Sequence, residues 1–255
     1  MKYFMGIDIG SSMSKGVIIN CKGELISKYM VKSGYDFSKA ANRIKDSLLE
    51  STGIDFSQIE AVVSSGYGRK NVEFADSTKT EILCHAKGAF FFFQDSAKII
   101  DIGGQDNKVI EINKKGNVLN FKMNRKCAAG TGAFIEETAA RLDVDINELD
   151  NLARNSDKDT PISSFCTVFA QTEIIRLIKE GISLQNLAKG IFLSVSQRII
   201  EMDRFIDNII ITGGVIANFP IIREIITDKT GCKVFIPPNP QYCGAFGAAL
   251  AAKEL

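Results

Sequence analysis

Asp8-Ile9-Gly10-Ser11-Ser12 and Asp101-Ile102-Gly103-Gly104-Gln105 stand at matching places in two stretches of one design. In each, an apolar run ends in Asp-Ile-Gly, a small polar turn follows, and two further strand-like runs are separated by Lys-Gly. The first stretch predicts strands over 3–9, 15–20 and 24–32, with turns at Gly10-Ser11-Ser12 and Lys22-Gly23. The second predicts strands over 98–102, 108–113 and 118–123, with turns at Gly103-Gly104-Gln105 and Lys115-Gly116. Such a weak internal repeat is the sign of a duplicated, two-lobed fold.

Between and after these stretches the apolar periodicity turns helical. A helix is expected over 38–51, with Ile44, Leu48 and Leu49 on one face. A short apolar strand over 59–64 runs into Gly66-Tyr67-Gly68-Arg69. Helices follow over 132–142, over 168–180 with Gly181 as its stop, and over 184–205. Strands at 208–212 and 233–236, a stop at Pro237-Pro238-Asn239-Pro240 and an Ala-rich helix over 244–253 complete the chain. Alternating strands and helices define an α/β class.

Length and composition bound the rest. The chain has 255 residues, 45% hydrophobic and 24% charged, with a net charge of +1. That suffices for one large or two small cores, and it gives no basic or acidic bias toward nucleic acid or a membrane surface. Asp8 interrupts the first apolar run, against a signal peptide, and Ala89-Phe90-Phe91-Phe92-Phe93 is too short to span a bilayer. A soluble, cytoplasmic protein is expected, with no nucleic-acid or membrane partner.

The loops carry the chemistry. Glycine lets a turn approach phosphate oxygens without a Cβ in the way, and the turn's N–H groups with the Ser11 and Ser12 hydroxyls can cradle an anion. Lys15 adds charge. Asp8 and Asp101 are of the type that holds hydrated Mg²⁺ and orients a water at a γ-phosphate. Gln105 reads as a water-positioning group, with Asp106 beside it. Thr212-Gly213-Gly214-Val215 follows a strand and would pack its backbone against a flat adenosine, with residues 241–244 closing the far side. One Asp-x-Gly is only a tight hairpin; two matched units plus a strand-Gly-Gly loop in this order read as a nucleotide site. This resembles the actin, sugar-kinase and heat-shock ATPase superfamily (ASKHA, a duplicated ribonuclease H-like fold), in which each lobe supplies one phosphate loop and ATP binds between them. The resemblance implies lobes over 1–95 and 96–255, the C-terminal helix being free to pack back onto the first.

Six cysteines occur, at 21, 84, 127, 166, 232 and 243. No pair has the close spacing of a zinc ribbon or a ferredoxin-type run, and small buried hydrophobes are the plain reading of Cys21, Cys232 and Cys243. Cys127, in Asn124-Arg125-Lys126-Cys127-Ala128-Ala129-Gly130-Thr131-Gly132, and Cys166, in Ser163-Ser164-Phe165-Cys166-Thr167-Val168-Phe169-Ala170, each directly precede an expected helix. A helix N-terminus stabilises thiolate. Two thiolates could be buried, redox-active, or half of a four-cysteine cluster completed across a two-fold axis.

Other residues are weighed against blander roles. His85, the single histidine, reads as a buried structural residue before a general base. Cys84 beside it is not thereby a nucleophile. The run of phenylalanines at 90–93 reads as core before partner contact. Gln171 and Glu173 could reach nucleotide or partner, or simply face solvent. Arg69 and Lys70 are exposed basic residues.

The two cysteine segments, Ser65-Gly66-Tyr67-Gly68-Arg69, Cys84-His85-Ala86 and residues 241–247 together resemble, in order and over essentially the whole chain, the ATP-dependent activators of 2-hydroxyacyl-CoA dehydratases. These belong to the BadF/BadG/BcrA/BcrD ATPase family, with relatives in benzoyl-CoA reductase and double-cubane cluster systems. The resemblance implies an oxygen-sensitive homodimer of anaerobic metabolism holding one [4Fe–4S] cluster between subunits. Cys127 and Cys166 would be the ligands, and the helices after them the lever. It implies ATP/ADP and Mg²⁺ as ligands, with Asp8, Asp101 and Gln105 as catalytic residues. Nucleotide contacts would come from Gly10, Ser11, Ser12, Met13, Ser14, Lys15, Gly103, Gly104, Gln105, Asp106, Gly130, Thr131, Gly132, Gly213, Gly214, Val215, Asn218 and Gln241. Reduced ferredoxin or flavodoxin would donate electrons, and a 2-hydroxyacyl-CoA dehydratase or a double-cubane-type protein would accept them. A small-molecule, sugar-type kinase of the same superfamily is the alternative, although no sugar-binding segment is evident. An actin-type filament lacks any visible polymer contact.

Overall fold

The computed structural model describes residues 2–124, 130–162 and 167–255. Two compact units emerge. Unit 1 comprises Met1–Ser96, Ile110–Asn120 and Pro237–Leu255; unit 2 comprises Ala97–Val109 and Phe121–Ile236. The chain-order boundary near residue 95 is thus crossed again by a hairpin tip and by the C-terminal segment, both of which group with unit 1.

Unit 1 holds a five-stranded sheet of β1 (Tyr3–Ile9), β2 (Met13–Asn20), β3 (Leu25–Lys32), β4 (Ile59–Gly66) and β5 (Ser77–Thr78), in the order β3-β2-β1-β4-β5. The first three strands pair antiparallel, while β4 lies parallel to β1. A parallel neighbour requires a crossover, and α1 (Phe37–Thr52) supplies it. Asp36 caps its N-terminus by accepting from the Lys39 amide, and Gly53, in the left-handed region, ends it. The expectation of 38–51 falls within one residue of each end.

Strand β1 is buried on both faces, as a central strand between helical layers must be. Met5, Ile7 and Ile9 pack with Ala41, Ile44 and Leu48 of α1. Phe4 faces the other way, against the C-terminal helix α9 (Cys243–Ala252) and Cys84 of α2 (Glu81–Phe93). That second layer is packed backbone to backbone. A Cβ on Gly6 would lie 2.0 Å from the Ala245 carbonyl oxygen, and one on Gly247 would lie 1.7 Å from that of Cys84. The Gly and Ala content of α9 is therefore a condition for its seat. The phenylalanine run is the last turn of α2, where Phe91 and Phe92 stack around Phe246 and stay about one-third exposed.

The second sheet repeats this plan. Strands β6 (Ala97–Ile102), β7 (Asn107–Ile112), β8 (Val118–Asn124), β9 (Ile209–Thr212) and β10 (Val234–Phe235) run in the order β10-β9-β6-β7-β8. Strand for strand this is the order of the first sheet, with β9 and β10 parallel to their neighbours as β4 and β5 are. The insertion between β8 and β9 carries α3 (Gly132–Arg141), α4 (Leu149–Arg154), α5 (Thr167–Lys179) and α6 (Leu184–Ile200); α7 (Gly214–Asn218) and α8 (Ile221–Thr230) follow β9. Phe134, Ile174, Ile191, Phe192 and Ile222 close the core on Ile100 and Ile211.

Helix α6 stops at Ile200, five residues short of the expectation. Asp203 draws the chain out of the helix: its carboxylate takes ion pairs from Lys98 (3.0 Å) and Lys122 (3.1 Å) and a hydrogen bond from the Arg204 amide. Partial burial alone would raise that carboxyl's pKa. The Lys98, Lys122 and Arg204 donors outweigh it and hold the group below the usual carboxylate value.

Candidate functional site

Each unit carries one Asp-Ile-Gly loop at the end of its central strand. In unit 1 the loop joins β1 to β2, and its carbonyls are tied down. The Gly68 amide donates to Ile9 O (2.9 Å), the Ser33 hydroxyl to Gly10 O (2.6 Å) and the Ser33 amide to Ser12 O (3.0 Å). A trans peptide points its C=O and the following N–H in opposite directions. Tying the Gly10 and Ser12 carbonyls to Ser33, just past β3, therefore turns the Ser11 and Met13 amides away from it, while the Ile9 carbonyl is held from the β4 side. Buried Ser33 also meets the Ser14 hydroxyl at 2.8 Å. Ser11 and Ser12 are exposed, and Lys15 is half-buried, across the β1–β2 ladder from Asp8.

The Asp8 side chain is nearly buried, at 8% exposure. Its Oδ1 is 2.5 Å from where a Cβ on Gly66 would stand, and Gly66 has φ +85°. Its Oδ2 and the Nε2 of buried His85 both lie 2.9 Å from where a Cβ on Gly244 would stand. The carboxylate is thus seated between two glycines, with the imidazole edge beside it. Cys84, one residue before His85, has its thiol pushed up to about 12 by burial, with the Asp8 charge acting the same way against a counteracting Ser65 hydroxyl. Burial keeps the Cys84 thiol protonated.

In unit 2 the loop joins β6 to β7. The Gly132 amide donates to Gly103 O (3.0 Å) and the Ala133 amide to Gly104 O (2.8 Å), so the Gly104 and Gln105 amides turn the opposite way. The partners here are the first residues of α3. Asn107 adds a third tie, from Nδ2 to Gly130 O at 2.7 Å. Gly130 and Thr131 are buried, and the Gly132 amide is committed to the loop. Gln105 is exposed and Asp106 half-buried.

Asp101, 5% exposed, mirrors Asp8. Its Oδ1 is 2.7 Å from where a Cβ on Gly213 would stand, and Gly213 has φ +101°. In the ladders Ser65 pairs with Asp8 and Thr212 with Asp101, so Gly66 and Gly213 are the same position in the two units. The aspartates differ in their partners. Buried Lys108 places its ammonium 3.2 Å from Asp101 Oδ2 and 2.7 Å from Asp106 Oδ1. Gly213 and Gly214 open α7 with Val215 buried and Asn218 exposed, all in unit 2; Gln241 belongs to unit 1, and its buried Oε1 has no hydrogen-bond partner among the described residues.

Cys127 and Cys166 lie outside the described residues. Of the other cysteines, Cys84, Cys232 and Cys243 are buried and Cys21 is exposed. Three positions that shape the loops escaped sequence reading: Ser33, Gly66 beside Asp8, and Lys108. The repeat itself carried the signal for the last, since Lys108 stands seven residues after Asp101 as Lys15 does after Asp8.

Comparison with known proteins matches residues 5–252 to the model of the BadF/BadG/BcrA/BcrD ATPase family. An activator of lactoyl-CoA dehydratase from Anaerotignum propionicum is 40% identical, covering 99% of this chain and 98% of its own. A 2-hydroxyisocaproyl-CoA dehydratase activator from Clostridioides difficile is 39% identical, over 98% and 94%. The solved structure of the activator of that dehydratase from Clostridium difficile, with bound ADPNP, superposes with a TM-score of 0.92 at 38% identity, over 99% and 94% of the two chains. A ROK family glucokinase from Streptomyces griseus shares the two-lobed kinase-type fold alone, at 14% identity and a TM-score of 0.61 over 99% and 100%.

Proposed function

Because this chain belongs to the BadF/BadG/BcrA/BcrD ATPase family, we propose that it is the ATP-hydrolysing iron–sulfur activator that delivers low-potential single electrons to a 2-hydroxyacyl-CoA dehydratase or a double-cubane-type acceptor. The observation that carries the ATPase part is the matched pair of glycine loops, each with backbone carbonyls tethered and each with a nearly buried aspartate held beside a positive-φ glycine. Glycine turns of this kind can offer backbone amides to phosphate. Asp8 and Asp101 offer the hard carboxylate oxygens that suit Mg²⁺. Lys15 is charged and near its loop, Gln105 is exposed at the second turn, and the Gln241 Oε1 is an acceptor in want of a donor.

The electron-transfer part rests on the relatives and on the cysteines. The buried, protonated thiol of Cys84 and the thiols of Cys232 and Cys243, spent on backbone carbonyls, are poor ligands. The likeness to the dehydratase activators, not elimination, since Cys21 is exposed, makes Cys127 and Cys166 the pair proposed to ligate, two from each protomer of a homodimer. A [4Fe–4S] cluster, when bound, supplies a one-electron carrier. The dimer reading is supported by α5, which starts one residue after Cys166. Val168, Ile175 and Ile178 fall on one side of it and Phe169 beside them, all exposed and interleaved with exposed Thr172, Arg176 and Lys179, large apolar side chains of the kind a second copy covers. The second loop's ties to Gly130, Gly132 and Ala133 give its nucleotide state a short route to the segment after Cys127. Reduced ferredoxin or flavodoxin is the proposed donor.

Anaerobically purified protein tests this. ATP hydrolysis, four irons and four sulfides per dimer, and ATP-dependent reduction of an acceptor protein are expected. Nucleotide binding with no iron after reconstitution overturns the electron-transfer reading, and hydrolysis that requires a sugar acceptor favours the kinase.

A further inference from the structure

We propose that Lys108 is a positioning residue for ATP hydrolysis, holding the Asp101 carboxylate in place, and that the two duplicated loops have thereby divided the labour of one ancestral lysine. The inference rests on the ATPase reading above. Three observations carry it. Lys15 and Lys108 occupy the same place in the repeat, seven residues after their aspartates. Lys108 is buried, at 3% exposure, with its ammonium shared between Asp101 at 3.2 Å and Asp106 at 2.7 Å. Lys15 is half-buried and makes no ion pair or hydrogen bond among the described residues.

A lysine ammonium out of water is kept there by counter-charges, and two carboxylates supply them. In return Lys108 fixes the Asp101 side chain from the Oδ2 side, while Gly213 leaves room for Oδ1 and the Thr212 hydroxyl stands 3.5 Å from it. The carboxylate is held from both sides before any nucleotide arrives. Preorganised charge of this kind accelerates the chemical step without binding the ground state more tightly. Lys15, with no ion pair or side-chain hydrogen bond among the described residues, is left to meet the phosphates, where it contributes to binding.

The two lysines should therefore separate in steady-state kinetics of the full-length protein. Lys108→Met is expected to lower kcat for ATP hydrolysis about 100-fold, with KM for ATP and the affinity for ADP changed less than about threefold. Lys15→Met is expected to do the reverse, raising KM about tenfold or more with a smaller effect on kcat. Lys108→Arg keeps the charge but replaces the compact ammonium with a longer fork. It should fold, bind ADP normally and show a kcat between those of wild type and Lys108→Met. Wild-type kcat in either Lys108 variant overturns the proposal, as does a loss in Lys108→Met that appears wholly in KM. Where Lys108→Met does not fold, Lys108→Arg decides alone: a kcat about tenfold down at unchanged KM supports the role, and unaltered kinetics overturn it. Wild-type protein that binds ATP and never turns it over overturns the ATPase reading itself, an outcome distinct from any difference between variants.

Discussion

Gly66 and Gly213 show how a single missing Cβ makes room for a carboxylate of the proposed site. Each sits at the end of the strand parallel to its central strand, at φ +85° and +101°, with an aspartate oxygen where a side chain would go. Gly66→Ala and Gly213→Ala should each cost about 1–3 kcal/mol for the backbone conformation alone and, by displacing Asp8 or Asp101, abolish most ATP hydrolysis. Gly53→Ala, also at positive φ but with nothing within 4 Å, serves as the control. It should cost about 1 kcal/mol in denaturant unfolding and leave turnover intact. Equal activity losses at Gly53 and Gly213 would argue against a local effect on the carboxylate. Ser33 makes a comparable prediction: Ser33→Ala leaves Gly10 O without its donor, and should cost about 1–3 kcal/mol and weaken ADP binding measured by calorimetry.

At the scale of elements, α9 and α2 form a contact that sequence periodicity understates. A helix of Ala, Gly and Cys shows no strong amphipathic face, because every side of it is buried. Its small residues let it lie against β1 and α2 at backbone distance. Gly247→Ala would push a methyl into the Cys84 carbonyl and should destabilise by more than about 3 kcal/mol, read as a lower midpoint of denaturant unfolding. Helix α5 poses the opposite case, since Val168, Phe169, Ile175 and Ile178 are exposed on it. Phe169→Glu should leave the protomer folded and shift it from dimer to monomer in sedimentation, with loss of iron if the cysteines of two protomers are needed. A stable dimer in that variant would place the interface elsewhere.

For the molecule as a whole, buried neutral acids set an alkaline limit. Burial raises the Cys84 thiol from 9.0 to about 12 and also raises the Tyr242 phenol. Both are acids whose folded pKa exceeds the unfolded one. Their contribution is full below the unfolded values and declines as pH rises toward the folded ones, because only the unfolded chain sheds its protons in that window. Thermal stability should fall between about pH 9 and 12, and Cys84→Ala should flatten part of that fall. An unchanged slope would mean that the thiol ionises in the native state as easily as in the unfolded chain.

The sequence by itself determined the class and plan of this protein. Strand period, glycine turns and the spacing of the two Asp-Ile-Gly loops are local signals, and they mark the three-stranded start of each sheet, the crossover helix α1 and both aspartates. The cysteine segments were legible as motifs, though Cys127 and Cys166 lie outside the described residues. Tertiary structure decided what depends on residues distant in the chain. It seated the Asp8 carboxylate between Gly66 and Gly244, tethered the first loop through Ser33, grouped the C-terminal helix with the first unit and drew α6 to an early end at Asp203. Lys108 shows the boundary between the two. Its place in the repeat is written in the chain, but that it faces inward onto Asp101 while Lys15 has no ion pair among the described residues is a matter of packing, which no local period encodes.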